Sequence, residues 1–161
     1  MRRFHNARNQ AYLQRALRFE LVAFIEDILS TFEQDVALTA EISRNHRVVL
    51  APNAFSRVLT NLISNGIKHG GEVRLIVRAT AVVIVDNGPG IPEQQRSQIF
   101  QPFFRLDGSR SSATGGSGLG LAIVDQLCQT HGWAIEVANA SQNAPSPGAK
   151  FTLSFVANTA E

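Results

Sequence analysis

The chain has one cysteine, Cys128, in 161 residues. No disulfide can form within it, so a fold stapled by cross-links is excluded. Cys128 follows the apolar, helix-like residues 121–127, where a thiol is a small buried hydrophobe; this usage is consistent with a reducing compartment. Lysine is nearly absent: Lys68 and Lys150 are the only two, and arginine carries the other basic positions. That makes Lys68 less typical of surface decoration, although a general preference for arginine would have the same effect. No apolar run reaches the ~20 residues needed to cross a bilayer. The first residues, Met1-Arg2-Arg3-Phe4-His5, carry positive charge with no long apolar core after it, which does not read as a signal peptide. A net charge of +2 is too small to argue for a nucleic-acid partner.

What is present is the composition of a globular domain, 44% hydrophobic and 17% charged, in a chain long enough for one domain with a real core. Residues 1 to about 17 are polar and Arg-rich and read as a linker or the end of a helix from a preceding domain, leaving 18–161 as the folded unit. Apolar residues at Leu21, Phe24, Ile25, Ile28, Leu29 and Phe32 form a helical stripe. Two short strands are expected at residues 39–43 and 47–50, with Asn45-His46 as a turn between them. Pro52 suits the first turn of a helix running to about His69, which Gly70-Gly71 stops. Residues 72–79 and 81–85 read as neighbouring strands, the second apolar throughout and so buried on both faces. Residues 93–100 suit a short helix, 119–130 a longer one, and 133–138 and 150–156 two closing strands around a loop at 139–148. The expectation is an α+β fold: a two-layer sandwich with a mixed sheet of about five strands, covered on one face by about three helices.

Chemistry concentrates in four stretches. On a helix, Asn61, Asn65 and Lys68 fall within a roughly 60° arc, while Phe55, Val58, Leu59, Leu62, Ile63 and Ile67 occupy a separate wide arc. Carboxamide oxygens can ligate Mg²⁺, which keeps several waters and often bridges substrate phosphates, and Lys68 can meet a phosphate as a point charge. A merely solvated face remains the alternative. Asp86 ends a buried strand, where a carboxylate is costly without a donor. The exocyclic amine of adenine would serve, as would the backbone of the Asn87-Gly88-Pro89-Gly90 turn.

The stretch from Gly115 through Gly116, Ser117, Gly118, Leu119 and Gly120 runs into a helix. Exposed backbone N–H groups and the positive end of a helix dipole make an anion site there. It is neither a Walker A loop nor a Rossmann fingerprint. Finally, Phe100, Phe103 and Phe104 would anchor the base of a loop or simply join the core, and Arg105 would face a transferring phosphate.

Taken in order, these stretches resemble the asparagine, first glycine, phenylalanine and second glycine boxes of bacterial two-component sensor histidine kinases, in the GHKL superfamily. The resemblance covers residues 20–157. It implies the superfamily's α/β sandwich, the Bergerat ATP-binding fold, with ATP and Mg²⁺ held under a flexible lid at about residues 105–115. Asn65 would ligate Mg²⁺ with Asn61 assisting, Lys68 would contact phosphate, and His69 would border the nucleotide. Asp86 would bind the adenine amino group in a pocket shaped by Gly88, Gly90 and Ile91, with Phe103 beside it. Gly116, Ser117, Gly118, Leu119 and Gly120 would contact the phosphates; Ser117 stands where the family often has Thr. Asn61, Lys68 and Arg105 would form the catalytic set.

ATP-hydrolysing relatives resembling Hsp90, gyrase B or MutL carry a glutamate at the position matching Asn61, where it activates water; a carboxamide cannot. A nucleotide-binding module that has lost catalysis is the remaining alternative. None of His5, His46, His69 and His131 resembles the family's acceptor histidine, which is followed by an acidic residue. The resemblance therefore implies a monomeric catalytic domain alone, residues 1–17 being a linker or the end of a preceding dimerisation helix. It would transfer phosphate to a histidine on a separate phosphoacceptor domain and indirectly serve a response regulator. The domain would be cytoplasmic, its parent kinase anchored in the inner membrane outside this chain.

Overall fold

In the computed structural model, residues 15–106 and 117–156 are described. Apolar periodicity decides the two long helices. Helix α2 (Pro52–Gly70) begins with proline in its first turn and ends at Gly71, whose φ of 76° is open to glycine. Its inward stripe of Phe55, Val58, Leu59, Leu62 and Ile63 is fully buried. Helix α3 (Gly120–His131) ends in a left-handed glycine, Gly132, and buries Val124 and Cys128. Helix α1 (Leu21–Leu29) buries Leu21, Val22, Ile25 and Ile28. It stops three residues short of Phe32, which still packs against the core.

These helices cover one face of a five-stranded sheet in the order β2 (Ala37–Ala40), β4 (Val73–Arg78), β5 (Ala81–Asp86), β7 (Ala149–Ser154) and β6 (Ala134–Asn139). Only β2–β4 is parallel; β4–β5, β5–β7 and β6–β7 are antiparallel. The mixed sheet under three helices is the architecture expected from the sequence. The central strand β5 is buried on both faces. Val82 and Ile84 point into the core, while Val83 lies between Ile76 and Thr152, and Val85 between Arg74 and Lys150, on the other face.

Three expectations are corrected. The expected turn before residues 47–50 is present, at Arg44-Asn45, but the strands on either side are placed differently. The first lies at Ala37–Ala40 rather than at 39–43 and joins the main sheet, whereas β3 (Arg47–Leu50) pairs with β1 (Leu17–Glu20) in a separate two-stranded ribbon. Local alternation specifies a strand but not its partner. The expected helix at 93–100 is two 3-10 turns, Glu93–Gln95 and Gln98–Phe100. Asn139 is the last residue of β6, not the first of a loop.

Aromatic side chains tie the layers together. The Phe55 ring meets Trp133 edge-on at 5.7 Å and Phe155 at 5.4 Å, joining α2 to the residue just before β6 and the residue just after β7; such pairs add about 1 kcal/mol each beyond the area they bury.

Candidate functional site

Helix α2 carries the site along its length. At its C-terminal end, Asp86 closes β5 with 5% of its surface exposed. Its Oδ1 accepts from the Gly88 amide at 2.8 Å and from the Ala149 amide at 3.0 Å. The carboxylate is thus held by two backbone donors, which offsets its burial. Three glycines make room for it. A Cβ on Gly70 would stand 2.6 Å from the Asp86 Cβ, one on Gly88 would stand 2.8 Å from the His69 carbonyl oxygen, and one on Gly148 would collide with the Asp86 carbonyl. The Asp86–Ile91 turn therefore sits directly against the end of α2. Gly90 has φ +75°, and Ile91 is buried.

At the other end of the polar arc, Asn61 lies beside the start of α3: a Cβ on Gly120 would stand 3.0 Å from Asn61 Oδ1. The Asn61 amide nitrogen donates back to the Arg57 carbonyl at 2.8 Å, which fixes the oxygen as the atom turned toward the glycine loop. From Asn61 to Gly70 the helix rises roughly 14 Å. The structure thus brings an acidic turn and a glycine-rich helix start to two points on one helix, with Asn65 half-buried between them and Lys68 and His69 exposed.

Phe103 has a positive φ of 65°, uncommon for a bulky residue. Its amide donates to the Gly118 carbonyl at 2.8 Å, and a Cβ on Gly118 would stand 2.9 Å from the Phe103 Cα. The phenylalanine stretch is therefore bound to the glycine-rich stretch by backbone contact. Phe100 and Phe104 pack against the core, but Phe103 is 71% exposed. Ser117 and Arg105 are exposed, Gly118, Leu119 and Gly120 partly so. Gly116 and residues 107–115 of the expected lid lie outside the described residues.

Among the described residues, no cluster of three or more His, Cys, Asp or Glu side chains could hold a metal. The oxygen donors on α2 are carboxamides, a set that suits Mg²⁺ only where phosphates and water supply the other ligands. Cys128 and His131 are remote from this chemistry. Burial, with Asp125 adding to it, pushes the Cys128 thiol up to about 12. Burial also lowers the pKa of His131, whose ring stacks on Trp133 at 4.7 Å.

Sequence reasoning missed Asn139, Ser146 and Gly148. Ser146 Oγ lies 2.7 Å from the Gly88 carbonyl oxygen and the Gly148 amide donates to that same oxygen at 2.9 Å, while Asn139 Oδ1 accepts from the Ile91 amide at 2.9 Å. The signal available was the cluster of Pro and Gly at 145–148, which announces a shaped loop but not its target.

The profile of the family described as histidine kinase-, DNA gyrase B-, and HSP90-like ATPase matches residues 51–159. The signal transduction histidine-protein kinase AfsQ2 of Streptomyces coelicolor is 38% identical over 122 residues, covering 73% of this chain and 22% of that protein. The sensor protein RstB of Escherichia coli is 33% identical over 141 residues, covering 84% of this chain and 31% of that one. The chain thus spans less than a third of the length of either relative. Among solved structures, the mycobacterial sensor histidine kinase MprB superposes with a TM-score of 0.70 at 28% identity, over 86% of this chain and 95% of that one. The catalytic domain of histidine kinase ThkA, at 22% identity and a TM-score of 0.69 over 87% of this chain and 94% of its own, shares the fold.

Proposed function

The chain belongs to the family of histidine kinase-, DNA gyrase B- and HSP90-like ATPases, and on that premise we propose that it is the ATP-binding catalytic domain of a sensor histidine kinase. It passes the γ-phosphate of ATP to a histidine on a separate phosphoacceptor and dimerisation domain of the same kinase, from which a response regulator draws it. The observation that carries the reading is the bracketing of α2: Asp86 against Gly70 at one end, Gly120 against Asn61 at the other. A nucleotide has a base with a donor amine at one end and an anionic chain at the other, and these two points offer an acceptor and a helix N-terminus in matching positions.

Within that site Asp86 accepts from the adenine amine, and Gly88, Gly90 and Ile91 shape the pocket around the ring. His69 borders the base. The amides of residues 116–120 meet the phosphates. Asn65, with Asn61 beside it, would hold Mg²⁺, which when bound neutralises phosphate charge. Lys68 and Arg105, exposed and without an ion-pair partner among the described residues, supply positive charge to the same groups. The domain contributes positioning and electrostatics; the acid–base partner belongs to the acceptor domain. Asn61 separates transfer from hydrolysis, because a carboxamide takes no proton from water. Alone the domain would be a monomer, on the cytoplasmic side where its proposed substrate ATP is supplied. No helix among the described residues is long and apolar enough to cross a membrane.

Calorimetry of the purified chain with ATP and Mg²⁺ tests the first half: saturable binding is expected, and its absence overturns the reading. Radiolabelled ATP, supplied with the phosphoacceptor domain added in trans, tests the second. Label appears on that domain's histidine and none on this chain. ATP turnover without an acceptor, at a rate equal to that with one, would favour a hydrolase instead.

A further inference from the structure

The Gly88–Ile91 turn is held by side chains from two other parts of the chain. Both backbone groups of Ile91 are engaged by side chains from outside the turn: its amide donates to Asn139 Oδ1 at 2.9 Å, and its carbonyl accepts from Arg96 Nε at 3.2 Å. Asn139 comes from the end of β6, 48 residues away in sequence, and is half-buried. Its oxygen also occupies the space that a side chain at position 90 would fill, 2.7 Å from a Cβ built on Gly90, with Pro147 at 2.8 Å on the same side. Arg96 follows the first 3-10 turn, so the two side chains reach Ile91 from different elements.

We propose that Asn139 and Arg96 are positioning residues for base recognition, a two-sided clamp that keeps the Gly88–Ile91 backbone at the distance from Asp86 that a purine ring needs. The proposal rests on the reading of the Asp86–Ile91 turn as the adenine pocket. Gly90 lets the chain turn at φ +75°, and the same freedom makes the turn soft. Asp86 Oδ1 restrains only the Gly88 end. Without the clamp, Ile91 regains backbone freedom that ATP binding must then remove, so affinity falls although no contact to the ligand is lost. Asn139 acts through its acceptor oxygen alone, which sets it apart from a residue whose whole shape matters.

The experiment pairs calorimetry of ATP with Mg²⁺ on this chain with hydrogen exchange of the amides at 88–91, using β4 as the reference for global stability. Asn139→Ala is expected to weaken ATP binding about fivefold to tenfold, the size of one net hydrogen bond. It should speed exchange at 88–91 and leave β4 at the wild-type rate. Asn139→Asp keeps the acceptor oxygen and restores both. Arg96→Ala moves both readouts in the same direction, and keeps the clamp testable should Asn139→Ala unfold. ATP affinity within twofold of wild type in the alanine variants overturns the clamp, as does exchange rising equally in β4, or Asn139→Asp matching Asn139→Ala. A wild-type chain that binds no ATP overturns the pocket reading itself, a separate result.

Discussion

The Asp86 carboxylate occupies the space that a side chain on Gly70 would need: a Cβ there would stand 2.9 Å from both the carboxyl carbon and Oδ1. The last residue of α2 and the last residue of β5 are therefore fitted to each other. Gly70→Ala should gain up to about 1 kcal/mol of helix propensity and lose more, roughly 1–3 kcal/mol, to overpacking against a charged group that cannot move without breaking two backbone hydrogen bonds. A thermal melt should show a lower midpoint, and calorimetry a weaker ATP complex. A midpoint equal to or above the wild type would refute the fit.

Substitutions at Asp86 separate its contacts to the backbone from the base recognition proposed for it. Asp86→Asn keeps an oxygen for the Gly88 and Ala149 amides, so the fold should lose about 1 kcal/mol or less, while the acceptor facing the base is altered and ATP affinity should fall about tenfold or more. Asp86→Ala strips both amides of their partner in a buried site and should cost roughly 2–4 kcal/mol. Denaturant titration and calorimetry on the pair check this; equal losses of stability in the two variants would contradict the assignment.

What was legible in the sequence follows from range. Helix α2 could be read from Pro52, Gly71 and a period repeated over five turns, and β5 from an unbroken apolar run, because each signal lies within its own element. Asp86 and Gly120 could be assigned chemistry because their residue types are unusual for their surroundings. The pairing of β1 with β3 was not legible: four residues at Leu17–Glu20 carry too few periods, and their partner lies thirty residues on. Asn139 was equally hidden, since an asparagine at a strand end announces nothing until the turn it holds is in place.

Cys128 ties stability to alkaline pH. Its thiol is pushed from the ordinary 9.0 up to about 12 by burial and by Asp125. The folded chain therefore keeps the proton after the unfolded chain has lost it. The contribution is complete below pH 9 and is lost as pH rises from 9 toward 12, by up to about 1.4 kcal/mol per pH unit. Cys128→Ala should flatten the fall in unfolding free energy across that window relative to wild type. The same burial should leave the thiol inert to a disulfide reagent at pH 8 until denaturant is added.

His131 works in the acid direction. Burial lowers its pKa from 6.5, and its Nε2 has no hydrogen-bond partner among the described residues. The unfolded chain takes up the proton first, so this contribution is present above pH 6.5 and is lost as pH falls below it. The ring stacks on Trp133, the chain's single tryptophan, so intrinsic fluorescence reports the same residue pair. His131→Phe should reduce the loss of melting temperature between pH 6.5 and 5; an unchanged acid slope would refute this contribution.

The hydrogen bond from the Ala149 amide to Asp86, spanning 63 residues, has a consequence for how the protein is made. During synthesis the helix with its asparagines and the strand ending in Asp86 leave the ribosome well before residue 149 does. Until then the carboxylate lacks one of its two donors, and β5 has β4 beside it but lacks β7, its other neighbour in the finished sheet. The proposed nucleotide pocket is therefore completed late, and ATP binding to a chain still being made would report that β7 has docked.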